Sequence, residues 1–132
     1  MLVLENNFNE IIDKLSSQKV FVIDIETDGL EPYKGNTLCG IGISTSINNS
    51  FYFPFRHKNG INLSQDKLVS FMSLLNKANT LIGYNIKFDI KFLMKEGLNP
   101  WNKELIDVLV LVRLTEDENM YDLSLENVLS IT

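Results

Sequence analysis

The stretch KVFVIDIETDGL, Lys19–Leu30, decides the fold, because an apolar run typical of a buried strand ends on two carboxylates. Residues i and i+2 of a strand point to the same face about 6.6 Å apart, so Asp24 and Glu26 share one side with Val20 and Val22. Both sides of the strand are apolar as far as Asp24, which is typical of a strand covered on both faces. We therefore expect the two acids to converge at a crevice at the carboxyl end of this strand.

Two interpretations of the paired acids are open from the residues alone. Like charges at this spacing repel each other unless a cation binds between them, and hard oxygen ligands suit Mg²⁺ or Mn²⁺. Alternatively, the acids form a solvated strand end, with Thr27 and Asp28 beginning a turn. A second acid in a matching position is needed to favour the metal site.

The composition limits the class of protein. With 132 residues, of which 45% are hydrophobic and 22% charged, the chain has the size and make-up of one globular domain, which we place at residues 1–132. The lone cysteine, Cys39, cannot form an internal disulfide, which favours a reducing compartment, and we expect a cytoplasmic protein. No apolar run reaches the roughly 18 residues of a membrane span. The net charge of −5 argues against a broad electrostatic grip on duplex nucleic acid, although carboxylates that hold divalent cations are acidic by necessity.

Hydrophobic periodicity predicts the order of helices and strands. We expect a helix over 7–15, strands over 19–26, 37–46 and 50–55, a helix over 64–78, a strand over 80–85, a helix over 86–97 that Gly97 ends, a strand to about Asp107, a helix after it, and a last helix capped by Asp122. Asn7 and Ser64 are the predicted N-caps of the first two helices. The first three strands suggest an antiparallel meander, and the alternation that follows gives an α/β fold with a mixed sheet flanked by helices.

A third acid stands at a strand-to-helix junction, in the stretch IGYNIKFDIKFL, residues 82–93. Asn85 can cap the helix, which leaves Asp89 near its first turn, where the helix dipole alone favours a carboxylate by about 0.3–1 kcal/mol. Apolar residues surround Asp89, and the nearby lysines fall on the solvated side of the helix. A partly buried carboxylate needs a partner, and a metal ion shared with Asp24 fits that need better than these lysines, although the helix dipole alone also accounts for an acid at this position.

Two of these stretches resemble known motifs. VIDIETDGL resembles the first motif, and GYNIKFD the second, of the DEDD 3′–5′ exonucleases, specifically the proofreading domain of the DNA polymerase I family. The second match is the more specific, because Asn85, Lys87, Phe88 and Asp89 reproduce an Asn-x-Lys-aromatic-Asp pattern. The resemblance extends from about Val20 through YDLSLENVL and implies a ribonuclease H-like fold.

The resemblance also implies a two-ion site for Mg²⁺ or Mn²⁺. It implies that Asp24 bridges the two ions, that Glu26 binds the nucleophile-side ion and contacts the terminal 3′ hydroxyl, and that Asp89 holds the leaving-group-side ion. Two ions about 3.5–4 Å apart activate a water and stabilise the departing 3′ oxygen.

Four residues are implied to bind the substrate. By resemblance, Leu30 packs against the terminal bases and Asn85 orients the end of the strand, with Thr27 and Phe88 beside them in the two motifs. Apolar loop residues often pack on their own scaffold, and for Leu30 that alternative stays open.

The family pattern is incomplete in this sequence. Its fourth acid lies within Tyr-x-x-x-Asp, or His-x-x-x-x-Asp in a sister branch, and neither occurs. Asp107, Asp117 and Asp122 are candidate substitutes, although each is also explained as a surface or capping acid, and we expect His57 to lie in an exposed loop without a catalytic role. The chain therefore reads as the N-terminal part of the domain, either a truncated piece or a natural remnant. The missing segment would leave apolar surface that invites self-association or a partner.

The leading hypothesis is a metal-dependent 3′–5′ exonuclease that removes nucleotides from single-stranded DNA 3′ ends as the proofreading part of a DNA polymerase. One alternative is an exonuclease-like binding or regulatory module that is catalytically incompetent because the fourth acid is absent. Another is a 3′–5′ exoribonuclease. A phosphate-receiver domain also clusters acids at strand ends, but it has no place for the pattern from Asn85 to Asp89.

Overall fold

The computed structural model describes residues 1–117, with side chains through Leu114. In chain order the elements are α1 (Phe8–Leu15), β1 (Val20–Thr27), β2 (Leu38–Ser46), β3 (Asn49–Pro54), α2 (Gln65–Asn76), β4 (Thr80–Gly83), α3 (Ile86–Lys95), β5 (Glu104–Asp107) and α4 (Val108–Asp117). This order confirms the predicted α/β class. The predicted last helix at Asp122 lies outside the described residues.

The strands form one mixed sheet in the order β3-β2-β1-β4-β5. Strand β2 pairs antiparallel with both β1 and β3, as the predicted meander requires, and β4 and β5 run parallel to β1. The strand that ends on the paired acids is therefore central. It has an antiparallel neighbour on one side and a parallel neighbour on the other, so its carboxyl end lies at the boundary between the antiparallel and the parallel part of the sheet.

The main core lies on one face of β1. Phe21, Ile23 and Ile25 are buried there, together with apolar residues of α1, β2, β3, α2 and α3. The opposite face, which begins with Val20 and Val22, is only partly covered in the described part of the chain, and Val20 is 47% exposed. The expectation that both faces of β1 are covered is thus not met among residues 1–114. Because both faces carry apolar residues, the sequence alone could not reveal which face packs against the core.

The helix boundaries follow the prediction, whereas the caps do not. Asn7, Ser64 and Asn85 precede their helices, but none makes a side-chain cap hydrogen bond. Asn85 adopts a left-handed backbone with φ 58°, instead of the extended conformation from which an N-cap side chain reaches back to its helix. Gly97 has φ 107°, which confirms that it ends α3 as a left-handed C′ residue.

The helices of the described residues are too short or too polar to cross a membrane. Within residues 1–117, no helix combines the length and the apolar character that crossing a bilayer requires.

Candidate active site

Strand β1 carries two of the three predicted acids on its solvent-facing side. Asp24 and Glu26 are exposed, and Ile25 between them is buried in the core. This alternation is the period of two that a strand imposes, so the predicted common face of the two acids is confirmed.

Helix α3 brings the third acid to the same strand. Strand β4 pairs with β1 only over Val20–Val22, and after it the chain turns into α3, which therefore lies beside the second half of β1. Asp89 is 5% exposed and is the one charged residue among the buried residues that the structure describes. Its carboxylate accepts a hydrogen bond from the backbone N–H of Ile25. Asp89 thus reaches the backbone between the two acids of β1.

The surroundings of Asp89 favour its neutral form. Burial, and next the charge of Asp24, raise the pKa of Asp89 from its ordinary value to about 7, and the charge of Asp107 adds to this rise. The hydrogen bond from Ile25 acts in the opposite direction by stabilising the charged form. A carboxylate that is buried beside another acid is destabilised when ionised, and a bound cation would remove that cost.

Glu26 makes its contacts with β3 and the loop that follows. The Tyr52 hydroxyl donates to Glu26 Oε2 over 3.2 Å, and His57 Nε2 lies 3.9 Å from the same oxygen. The hydroxyl of Tyr52 and His57 Nε2 are 2.5 Å apart. Burial and the neighbouring Glu26 raise the pKa of the Tyr52 phenol, which therefore stays protonated and can donate.

Asp107, a candidate substitute for the fourth acid, has a structural role. Its Oδ1 accepts hydrogen bonds from the backbone N–H of Leu109 over 3.0 Å and of Asn85 over 2.9 Å. The first bond caps α4, and the second ties the start of α4 to the start of α3. The interpretation of Asp107 as a capping acid agrees with this geometry. Asp122 lies outside the described residues, and so does the side chain of Asp117.

The carboxylates offer only part of a metal site. No group of three or more histidine, cysteine or acidic side chains within the described residues is close enough to hold an ion. The charge of Asp24 acts on Asp89, whereas Glu26 Oε2 accepts a hydrogen bond from Tyr52. Paired carboxylate oxygens are nevertheless a donor set that suits a hard divalent cation, and the roles of all three acids as ligands stay predictions.

The predicted substrate residues are divided between surface and core. Leu30 is 77% exposed, so the alternative that it packs on its own scaffold is not realised among the described residues. Asn85 is exposed, and the Thr27 hydroxyl donates to Gly29 O over 2.7 Å. Phe88 packs against the main core and the ring of Phe92 at 5.2 Å between centroids.

Sequence reasoning missed Tyr52 and His57. His57 lies in the loop after β3, as expected, but its side chain is only 30% exposed and contacts Tyr52. In the sequence, Tyr52 and His57 stand on either side of a predicted strand end, which indicates that they are close to each other. This spacing does not reveal that Glu26 is nearby. Pairing of Asp24 with Gly42, and of Gly42 with Tyr52, brings these residues together.

Comparison with known families gives a match over most of the chain. A family model described as a 3′–5′ exonuclease of A-type DNA polymerases matches residues 3–127. A DNA polymerase I from Borreliella burgdorferi is 33% identical over 93 residues, which is 70% of this chain and 10% of that protein. The DNA polymerase DpoZ of Acinetobacter phage SH-Ab 15497 is 34% identical over 85 residues, or 62% of this chain and 12% of the polymerase. The chain thus spans about a tenth of the length of these relatives.

Solved structures share the fold at low sequence identity. The EXO domain of Aedes aegypti Nibbler superimposes with a TM-score of 0.64 at 12% identity, covering 96% of this chain and 64% of that one. Brucella melitensis NrnC with bound Mg²⁺ gives a TM-score of 0.56 at 18% identity, covering 89% and 52% of the two chains. The RNase domain of yeast Pop2 gives 0.58 at 15% identity, covering 90% and 73%. These likenesses confirm the ribonuclease H-like exonuclease fold.

Proposed function

The chain belongs to the 3′–5′ exonuclease family of the DNA polymerase I type, and we propose that it binds divalent metal and the 3′ end of single-stranded DNA as the N-terminal part of a proofreading exonuclease. In this proposal residues 1–132 belong to one domain. Its partners are the single strand and a polymerase domain or a segment that carries the third motif, in the cytoplasm.

The burial of Asp89 beside Asp24 is the observation that carries the proposal. A carboxylate that is 5% exposed and feels the charge of another acid costs folding free energy unless something compensates its charge. In the part of the chain that the structure describes, no basic side chain forms an ion pair with Asp89. A divalent cation between Asp24 and Asp89 would supply that compensation.

Mg²⁺ or Mn²⁺ fits the donors of this chain. Oxygen ligands from Asp24, Asp89 and Glu26 would hold the metal, and the Oε1 atom of Glu26 has no protein partner among the described residues. Bound metal of this kind activates water and stabilises a departing alkoxide in phosphodiester hydrolysis.

The chain's own residues have distinct tasks in this proposal. The Ile25 N–H orients the carboxylate of Asp89, and β1 points Asp24 and Glu26 to the same open side. Leu30 follows Asp28 by two residues and is 77% exposed, so it is available to pack on a terminal base. Asn85 is exposed next to the start of α3. Burial of one apolar side chain of this size against a base contributes about 1.5–3 kcal/mol.

A metal titration tests the proposal. Mg²⁺ or Mn²⁺ should raise the melting temperature, because a ligand that binds only the native state stabilises it by RT ln(1 + [L]/Kd). Asp24→Ala should abolish that increase, whereas Asp13→Asn on α1, a surface acid on another element, should keep it. An equal response of the wild type and Asp24→Ala would refute the assignment of the site.

The nature of the nucleic acid is a further part of the proposal. Relatives of this chain are DNA polymerases, which favours DNA, whereas a structural neighbour is the RNase domain of yeast Pop2 and NrnC has been solved bound to pGG. Competition between single-stranded DNA and RNA oligonucleotides of the same sequence, measured with Mn²⁺ present, would decide. Stronger competition by RNA would favour the exoribonuclease.

A second candidate is a module that binds a 3′ end without cleaving it. It is favoured by the absence of Tyr-x-x-x-Asp and His-x-x-x-x-Asp from the sequence, and by the absence of a three-ligand cluster among residues 1–114. Metal-dependent retention of a labelled oligonucleotide that stays intact would identify this module. Shortening of the same oligonucleotide from its 3′ end would exclude it.

A further inference from the structure

Glu26 is held by side chains that come from a different part of the chain. Its Oε2 accepts from the Tyr52 hydroxyl over 3.2 Å, and His57 Nε2 lies 2.5 Å from that hydroxyl and 3.9 Å from Oε2. Tyr52 belongs to β3, which is separated from β1 by the whole of β2. The phenol must therefore reach across one strand to contact Glu26.

Two glycines of β2 make this reach geometrically feasible. In the sheet, Asp24 is paired with Gly42 and Gly42 with Tyr52, while Glu26 is paired with Gly40 in the neighbouring row. A Cβ atom added to Gly40 would lie 1.9 Å from the Tyr52 hydroxyl, so any side chain there would displace the phenol. A Cβ atom added to Gly42 would have its nearest neighbour at 3.5 Å, an ordinary contact. Gly40 is therefore the position that gives Tyr52 its place beside Glu26.

The loop after β3 fixes the imidazole at the other end of the network. The backbone N–H of His57 donates to Asn62 Oδ1 over 2.8 Å, and Asn62 Nδ2 donates to the His57 carbonyl over 2.9 Å. A phenol has one proton, so Tyr52 can donate to Glu26 and keep its hydrogen bond with His57 only if His57 Nε2 donates to the phenol oxygen. The arrangement thus specifies one tautomer of the only histidine in the chain.

We infer that Tyr52 and His57 are positioning residues that hold Oε2 of Glu26 and thereby present Oε1 to the metal and the 3′ end. The inference rests on the proposed function, since it concerns Glu26 as a ligand. The Glu26 side chain is 63% exposed, and a hydrogen bond to such a carboxylate contributes little to folding. Its main effect is to restrict the rotamers of a ligand, which is what partners of metal-binding side chains do.

Nuclear magnetic resonance of the imidazole nitrogens tests the network without metal or DNA. Because the chain has a single histidine, its ring signals need no assignment. At a pH at which the ring is neutral, the wild type should show the Nε2-protonated tautomer. Tyr52→Phe, Glu26→Gln and Gly40→Ala should each shift the populations toward the other tautomer, and the matched variant Gly42→Ala should not. An Nδ1-protonated ring in the wild type, or a Tyr52→Phe spectrum identical to it, would overturn the inference.

Metal binding tests the consequence for Glu26. Tyr52→Phe should lower the affinity for Mn²⁺, followed by the paramagnetic resonance signal of the free ion, by about tenfold. In the Glu26→Gln background the same change should have no further effect, whereas a role in folding alone would lower affinity equally in both backgrounds. A wild type that shows the expected tautomer but binds no Mn²⁺ would contradict the proposed function. Undiminished Mn²⁺ affinity in Tyr52→Phe would overturn the positioning role alone.

Discussion

Asp89 is a carboxylate with only 5% of its surface exposed, so water solvates it poorly, and Asp24 increases the unfavourable energy of its charge. The sequence indicated this much, because apolar positions on both sides of Asp89 predict burial for a residue on that turn of the helix. The neighbouring Ile25 N–H could not be predicted, since it depends on where β4 stops pairing with β1.

The first prediction concerns Asp89 and pH in metal-free protein. The folded-state pKa of about 7 lies above the ordinary value near 4, so the folded state holds a proton that the unfolded state releases between these limits. The contribution is fully present below pH 4 and is lost as the pH rises through 7. We expect the free energy of unfolding of the wild type to fall by on the order of 1–3 kcal/mol from pH 5 to pH 8.5 relative to Asp89→Asn. Urea unfolding in EDTA measures it, and parallel curves for the two proteins would contradict it.

Two variants of Asn85 distinguish the role of its backbone conformation from the role of its side chain. Its φ of 58° lies in the left-handed region, which costs an ordinary residue about 1–2 kcal/mol but is accessible to asparagine and glycine. Asn85→Gly should leave the free energy of unfolding nearly unchanged, whereas Asn85→Ala should lower it by about 1 kcal/mol. Both variants lack the amide and should bind a single-stranded oligonucleotide equally weakly. If Asn85→Gly binds like the wild type, the side chain does not contact the strand.

At the scale of the element, Asp107 connects two helix starts. Its Oδ1 accepts from the backbone of Leu109 at the start of α4 and from the backbone of Asn85 just before α3. This single side chain therefore links the carboxyl ends of the two parallel strands β4 and β5. The residues of the second motif lie on one of the segments that it joins.

The prediction for this element concerns stability. Asp107→Ala should lower the free energy of unfolding by about 1–2 kcal/mol, as the loss of an N-cap does, and Asp107→Asn should retain most of it because an oxygen acceptor remains. Ser64→Ala at α2 is the matched control, since Ser64 makes no side-chain cap hydrogen bond and its loss should cost less. Chemical denaturation measures all three, and an equal effect of Ser64→Ala and Asp107→Ala would contradict the capping role.

The elements also indicate what the sequence can predict. The alternation in β1 predicted the common face of Asp24 and Glu26, and the left-handed Gly97 ended α3 as expected. Contacts that depend on strand register were not predictable. Tyr52 reaches Glu26 only because β3 and β1 pair with β2 in one register, and a slip of one residue would turn Tyr52 to the opposite face. His57 was missed for the same reason.

At the scale of the whole molecule, Asp24 and Glu26 lie on the less covered face of a sheet whose other face carries the core. On this face Val20 is 47% exposed, and Val108 and Val112 of α4 form a small separate cluster with Ile82. The net charge of −5 fits a protein that meets phosphates through cations and not through a basic surface. The sheet and the two motifs place Asp24 and Glu26 on this face at the end of the central strand.

The last prediction is that the 132-residue chain alone degrades single-stranded DNA slowly or not at all. Without a fourth acid, the nucleophile-side ion implied by the family resemblance would be held mainly by Asp24 and Glu26, so activation of water should suffer most. Extending the chain with a relative's segment that carries Tyr-x-x-x-Asp should add metal-dependent shortening of a 5′-labelled strand from its 3′ end, and Asp89→Ala in the extended chain should abolish it. Robust degradation by the 132-residue chain itself would show that another of its own residues completes the site.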